Sequence, residues 1–304
     1  MTAAFFANSG SRRGAEGFEA AKAALENRGV KLDDSRSFDE CADLVDAVSQ
    51  AVSRGIDLIV LGGGDGTLSS GLASLSMSET TLGVMPLGTG NQFARDLGIP
   101  GDIESAAEII AAGFRAKVDL TDLNGDPFLN VATMGLTTQI ARNLDPTAKR
   151  LVGKLAYGVA VFRALRKMKP FHAQWQLPSG PQAHDIIQMV VGNGRLHAGI
   201  FPLAPDASIT DGRLDGYAIR AGSRAEHWKA AMMLPFGGHV GLDSVPAFRT
   251  SSFQMSTQPK VAATVDGEEV WHDKLEFIVQ PGALAVCVPE DFRVPEDRRL
   301  APLP

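Results

Sequence analysis

Residues Ile56–Leu68 read IDLIVLGGGDGTL, an apolar run that breaks into three glycines followed by Asp-Gly-Thr. Ile56, Leu58, Ile59, Val60 and Leu61 fit a strand buried on both faces of a parallel sheet, where alternation gives way to continuous hydrophobicity. Gly62, Gly63 and Gly64 remove side chains where a polyanion must approach the main chain, and they let successive N–H groups converge. Asp65 adds a carboxylate suited to a metal ion or a phosphate-bound water. Beyond Gly66, Thr67 adds a hydroxyl near the start of the next helix, whose N-terminus attracts anions. A strand-to-helix turn that binds nothing needs one glycine; three, with Asp65, Gly66 and Thr67, favour a phosphate loop.

A chain of 304 residues exceeds the usual single domain, so two domains are expected. Hydrophobic content of 44% with 21% charged residues is enough to bury a full core. The net charge of −6 argues against a nucleic-acid partner. Cys41 and Cys287 are far apart and sit in apolar patterns, which predicts two buried, reduced thiols in a cytoplasmic protein. MTAAFFANSG lacks a basic n-region and a long apolar segment, so no signal peptide is expected, and no stretch approaches the ~20 apolar residues of a membrane span.

Thr2–Ala7 predicts a first strand, ending at the polar turn Asn8-Ser9-Gly10-Ser11. A helix with Phe18, Ala21 and Leu25 on one face follows and stops at Gly29. The turn is either a plain loop or a second phosphate or ribose contact. Ser37-Phe38-Asp39-Glu40 reads as a capping box opening a helix that carries Cys41, Leu44, Val45, Val48 and Val52 and closes at Arg54-Gly55. The glycine loop comes next. Thr81–Met85 is a further strand, running into Pro86-Leu87-Gly88-Thr89-Gly90-Asn91. This β-α-β-α-β order predicts a parallel sheet whose loops gather at the C-terminal ends of the strands. Two glycine loops on neighbouring strands are more specific than either alone. Asp102–Gly113 completes the first domain's helices, with Ala106, Ile109 and Ile110 inward.

Beyond Arg115 the pattern changes. Lys117–Leu123, Asn124-Gly125-Asp126 and Phe128–Met134 predict a β-hairpin. Strand-like runs recur at Phe171–Leu177, Ile186–Val191, Leu214–Ile219, Ser252–Ser256, Val261–Val265 and Leu275–Val279. The expected fold is an α/β nucleotide-binding domain, residues 1–120, and a β-sandwich domain, residues 121–282, with 283–304 packing back on the first. Between the strands, Thr147–Met168 predicts a helix whose apolar residues alternate with Lys149, Arg150, Lys154, Arg163, Arg166 and Lys167. That helix is either a core helix with a solvated basic face or a surface for anionic lipid.

Taken together, these motifs resemble the diacylglycerol kinase catalytic family, in particular its bacterial soluble lipid kinases. Asn8-Ser9-Gly10 stands where the family has an Asn-Pro-x-Ser-Gly type turn, here without the proline. Gly63-Gly64-Asp65-Gly66-Thr67 is the family's nucleotide loop in full, and Pro86–Asn91 is similar to its second loop. Val191-Gly192-Asn193-Gly194, Pro205, Asp211-Gly212-Arg213-Leu214-Asp215 and Asp266-Gly267-Glu268 match its second-domain pattern. The resemblance implies an active site in the cleft between two domains. It implies that Gly63–Thr67, Thr89 and Asn91 hold ATP phosphates, with Asn8, Ser9 and Gly10 near the nucleotide. Asp65 would help to place Mg²⁺, and Glu268 would take the proton from a lipid hydroxyl. A structural Mg²⁺ would fall at Asp211 and the main-chain oxygens of Ser208 and Arg213. A turn carboxylate is the alternative for Asp211 and Asp215.

The family usually has Asp directly after the asparagine of the second loop, where this chain has Gln92, which carries no charge. The second-domain glycine cluster is altered too, reading Leu196-His197-Ala198-Gly199-Ile200-Phe201. His197 and His239 are candidate phosphate contacts or structural histidines. Phe201, Leu203, Met232, Met233, Leu234, Pro235 and Phe236 are candidates for lining an apolar acceptor cleft, or core. The expected partners are therefore ATP, a lipid acceptor and a membrane surface met from the cytoplasmic side. Two other readings are an NAD-kinase-like phosphotransferase, which shares Gly-Gly-Asp-Gly-Thr, and a nucleotide- or lipid-binding regulator disabled at Gln92.

Overall fold

The computed structural model describes residues 1–10, 12–135, 162, 168–197, 201–204 and 206–303. The chain forms two compact units. The first comprises Met1–Leu120, Ile209–Gly212 and Gln280–Pro304; the second comprises Thr121–Ser208 and Arg213–Val279.

In the first unit β1 (Ala3–Asn8), α1 (Arg12–Asn27), β2 (Asp34–Phe38), α2 (Cys41–Ser53), β3 (Leu58–Gly63), α3 (Asp65–Ser70), α4 (Leu72–Leu75), β4 (Thr81–Pro86), α5 (Gln92–Asp96) and α6 (Ile103–Ala112) follow in order. The four strands are parallel in the order β4-β3-β1-β2. Every residue of β3 and β4 is buried, which is what a continuous apolar run requires of a strand covered on both faces. Successive side chains of a strand point to opposite faces. Phe5 stacks on Phe18 of α1 at 5.1 Å, and the backbone of Gly83, in register with Val60 and Phe5, leaves room for Ile110 of α6. Leu61, on the other face, meets the chain at Gly71, between α3 and α4. The helix predicted over Asp102–Gly113 forms as α6 and is capped at both ends: Asp102 accepts the Ser105 N–H, and Gly113 is left-handed at φ +72°.

Two local expectations fail here. Ser37 does not cap α2: it is paired with Ala7 inside β2, and Glu40 stands at the N-cap without a side-chain hydrogen bond. Strand pairing to β1 claims the backbone that a capping box would need. Cys41 is exposed at the first turn of α2, and only Cys287 is buried.

β5 (Arg115–Leu123) begins in the first unit and continues in the second, which holds β6 (Asp126–Phe128), β7 (Val131–Gly135), β8 (Phe171–Leu177), β9 (Gly180–Gly192), β10 (Leu196–His197), β11 (Phe201–Pro202), β12 (Leu214–Arg220), α7 (Arg224–Met233), β13 (Ala247–Thr250), β14 (Ser252–Gln258), β15 (Ala263–Val265) and β16 (Glu268–Val270). β17 (Leu275–Cys287) starts in the second unit, antiparallel to β14, and ends in the first with Val286 beside Leu82 of β4. β18 (Arg299–Leu300) pairs with β5 in the first unit. The long β9 organises the second unit: its first half pairs with β8, and its second half lies between β7 and β12. Its residues from Ile186 to Gly192 are buried on both sides, Met189 and Val191 toward a core that includes Phe253 stacked on Phe277 at 4.7 Å, Ile187 and Val190 toward α7.

The predicted hairpin forms, with Asn124 and Gly125 both at positive φ, but its second strand stops at Phe128. The next residues turn away and restart as β7, because the N–H groups of Leu129, Asn130 and Val131 are all bound by the Asp266 carboxylate. The basic segment predicted at residues 147–168 lies outside the described residues apart from Phe162 and Met168, as do Ser11 and Pro205.

Candidate active site

Three loops leave the first unit's sheet at one edge, because Ala7 of β1, Gly62 of β3 and Met85 of β4 are in register. Gly63 and Gly88 are glycines for a steric reason. A Cβ on Gly63 would overlap the Thr67 side chain, and one on Gly88 would overlap the Cα of Gly64. The two glycine loops therefore touch backbone to backbone. Leu87 and Gly88 both donate their N–H to the Gly63 carbonyl at 3.1 Å.

Asp65 completes this junction. One carboxylate oxygen accepts the Gln92 N–H and the other the Phe93 N–H, each at 3.0 Å. The carboxylate of the first loop thus caps the short helix that follows the second. Each such charge-assisted bond contributes about 1.5–3 kcal/mol. Asn91, left-handed at φ +47°, donates its Nδ2 to the carbonyls of Gly88 at 2.9 Å and Pro86 at 3.3 Å, which fixes the second loop from within. Thr67 is buried, whereas Gly66, Thr89 and Gly90 are exposed. Gln92 is buried directly beside Asp65.

In the first of the three loops Asn8 accepts the Gly10 N–H at 2.9 Å, an Asx turn, and the Ser9 hydroxyl donates to Asp39 at 2.9 Å. Asn8 shapes its own turn, and Ser9 ties that turn to the connection between β2 and α2. Gly10 is exposed.

On the second unit, Glu268 is the first residue of β16, opposite Val265. It is exposed, and its side chain makes no hydrogen bond or ion pair among the described residues. Asp266, two residues earlier, is the anchored one: its oxygens accept N–H groups from Leu129 at 2.8 Å, Asn130 at 3.0 Å and Val131 at 3.1 Å. Asp215 is buried in a bidentate pair with Arg249, at 2.9 and 3.2 Å. Asp211 is exposed in the turn before β12, with Ser208 and Arg213 on either side. No group of three or more His, Cys, Asp or Glu side chains forms a metal cage among the described residues. The candidate donors are all oxygens, and each Asp65 oxygen keeps a lone pair beyond its N–H bond. That chemistry fits a hard cation such as Mg²⁺.

His239 is fully buried against Tyr217, ring centroids 4.5 Å apart, and neither ring nitrogen has a hydrogen-bond partner among the described residues. Burial lowers its pKa to about 4, which favours the neutral ring at pH 7, and the residue has no surface open to solvent. Leu203 and Leu234 belong to the core under α7, while Phe236 is 61% exposed. His197 is described only through β10.

Sequence reasoning missed Asp119. This carboxylate is fully buried and accepts the N–H groups of Gly212 at 2.6 Å and Gly282 at 2.8 Å and the guanidinium of Arg298. It fastens the turn after Asp211 to the first unit. Its signal was available: an Asp inside an apolar strand needs partners.

The chain thus combines a parallel α/β unit carrying two joined glycine loops with an antiparallel strand-rich unit. Residues 2–123 match the diacylglycerol kinase catalytic domain, and residues 130–288 match the YegS C-terminal NAD kinase beta sandwich-like domain. The chain belongs to this lipid kinase family. It is 30% identical over 284 residues to a Pseudomonas aeruginosa protein named "Probable lipid kinase YegS-like", covering 92% of each chain. It is 32% identical over 233 residues to a Bacillus subtilis protein named diacylglycerol kinase, covering 75% of this chain and 77% of that one. In fold it is similar to a Bacillus anthracis protein provisionally titled a diacylglycerol kinase, with a TM-score of 0.81 at 22% identity over 96% of both chains. No helix among the described residues is long and apolar enough to cross a membrane.

Proposed function

We propose that the protein transfers the γ-phosphoryl group of ATP, with Mg²⁺, to the hydroxyl of a diacylglycerol-type lipid. The observation that carries this reading is the Asp65 bridge, which joins two glycine loops at one edge of a parallel sheet and leaves Gly66, Thr89 and Gly90 open to solvent. Phosphoryl transfer asks mostly for positioning and charge neutralisation. Main-chain N–H groups of Gly64, Asp65 and Gly66 and the Thr89 hydroxyl are suited to hold the phosphates, and Gly10 leaves the first loop clear for the nucleotide. Asp65 would hold Mg²⁺ near them, and Asp211 with the main-chain oxygens of Ser208 and Arg213 would hold a structural ion. When bound, the ion at Asp65 offsets negative charge on the phosphates. Glu268, an unencumbered carboxylate, accepts the proton of the attacking lipid hydroxyl. A lipid acceptor makes the membrane surface the place of work, and ATP as donor makes it the cytoplasmic face.

The test is transfer of labelled phosphate from ATP with Mg²⁺ to a panel of mixed-micelle lipids, with NAD as a parallel substrate. Labelling of one lipid class is the expected result and names the acceptor. Labelling of NAD instead would replace the reading by an NAD-kinase-like one. ATP binding without transfer to any acceptor would favour a regulator disabled at Gln92.

A further inference from the structure

Glu268 owes its position entirely to the main chain. It opens a three-residue strand, β16, whose ladder partner is β15, and its own carboxylate is unbound among the described residues. A strand that short at a sheet's end is weakly held unless its turn is fixed. The turn is Asp266-Gly267, both residues at positive φ, +47° and +101°, joining the paired residues Val265 and Glu268. Asp266 donates its N–H to the Val131 carbonyl at 3.0 Å, and its carboxylate gathers the three N–H groups of residues 129–131. The Asn130 carbonyl in turn accepts the Asn193 N–H at 3.2 Å, at the end of β9.

We infer that Asp266 is a positioning residue for the proposed transfer: it clamps the turn that presents Glu268 onto the 129–131 loop, and through Asn130 onto the Asn193 end of β9. This rests on the reading of Glu268 as the base. A carboxylate is required because three donors converge on it. An asparagine offers one acceptor oxygen, and its NH₂ would face a main-chain N–H. The donors are consecutive amides of one loop, so losing the clamp frees the loop and the turn together.

The experiment compares Asp266→Asn, Glu268→Gln, Glu268→Asp, the double variant Asp266→Asn/Glu268→Asp, and Met255→Ala as a control that loses core packing on β14 of the same unit. Hydrogen exchange of the Leu129, Asn130 and Val131 amides is read beside kcat, KM for ATP and Tm. Asp266→Asn is expected to lose at least tenfold in protection at those amides and about tenfold in kcat, with KM for ATP within about threefold. The double variant should be no slower than the slower single variant by more than about threefold, since both changes act on one group. Met255→Ala should keep kcat at a similar loss of Tm. Unchanged protection, additive losses in the double variant, or an equal loss of kcat in Met255→Ala would overturn the inference. Full turnover by Asp266→Asn beside an inactive Glu268→Gln would overturn it alone. Normal turnover by Glu268→Gln would remove the base reading and the inference with it.

Discussion

The carboxylate of Asp65 and the main-chain N–H of Gln92 lie 3.0 Å apart, although the two residues belong to different loops and are separated by two helices and a strand. That bond, with its companion to Phe93, makes one rigid element of two glycine loops. Removing it tests the site most directly. Asp65→Asn keeps one acceptor oxygen and loses the charge, so the loops should part. ATP affinity is expected to fall roughly tenfold, equivalent to about 1.4 kcal/mol, and transfer to fall further. Titration calorimetry with ATP and the labelled-lipid assay measure the two effects.

Glu268→Gln should abolish transfer while leaving ATP binding within a few-fold, because the change removes a proton acceptor and leaves the Asp65 bonds that join the glycine loops intact. Calorimetry beside the transfer assay checks this. Normal turnover by the variant would end its assignment as base.

Gln92 is buried at the start of α5, and its N–H already binds Asp65. Gln92→Asp restores the family's carboxylate but sets two acidic groups side by side with little water to screen them. Activity with Mg²⁺ is expected to be kept or raised. Tm should drop in metal-free buffer and recover when Mg²⁺ is added. A thermal melt with and without the ion reads this directly; loss of turnover would make Gln92 a specific part of the site.

His239 carries an acid-sensitive weakness. Its folded pKa is near 4, below the ordinary 6.5, so between these values the unfolded chain binds the proton and the folded protein does not. Stability therefore falls as pH drops from about 6.5 toward 4, by up to about 3 kcal/mol. His239→Phe keeps a ring against Tyr217 and removes that slope. Urea unfolding at pH 7 and pH 5 should separate the two proteins at pH 5; parallel pH dependence would show that His239 is not the cause.

Cys41 is exposed, and burial pushes the Cys287 thiol up to about 12. A thiol reagent at pH 8 should modify Cys41 in the folded protein and reach Cys287 only in denaturant, which mass spectrometry of tryptic fragments will show.

Three strands of the parallel sheet were legible as apolar runs leading into glycine-containing turns, and the run at Leu58 fits a strand covered on both faces; β2, with the polar sequence DSRSF and partial exposure, carried no such signal. The sandwich strands were legible for the complementary reason: Phe171–Leu177 alternates apolar and polar residues at period two, and its predicted limits match β8. Local signals misled where tertiary pairing outbid them. Ser37 has the spacing of a capping residue, yet the Ala7 backbone takes it into β2. Cys41 has the spacing of a buried helical residue, yet the helix turns it to solvent.

At the candidate site, sequence alone determined which residue types stand where: glycines at strand exits, Asp65 and Thr67 in the first glycine loop, Glu268 directly after Asp266-Gly267. Those are properties of local order along the chain, and local order is what a motif records. Only the tertiary structure decided which carboxylates are spent on the protein itself. Asp65 reaches across 27 residues to Gln92, Asp266 across 137 to Leu129, and Asp119 across 163 to Gly282. A buried carboxylate must find N–H or guanidinium partners wherever the fold brings them, and no spacing in the sequence encodes that distance.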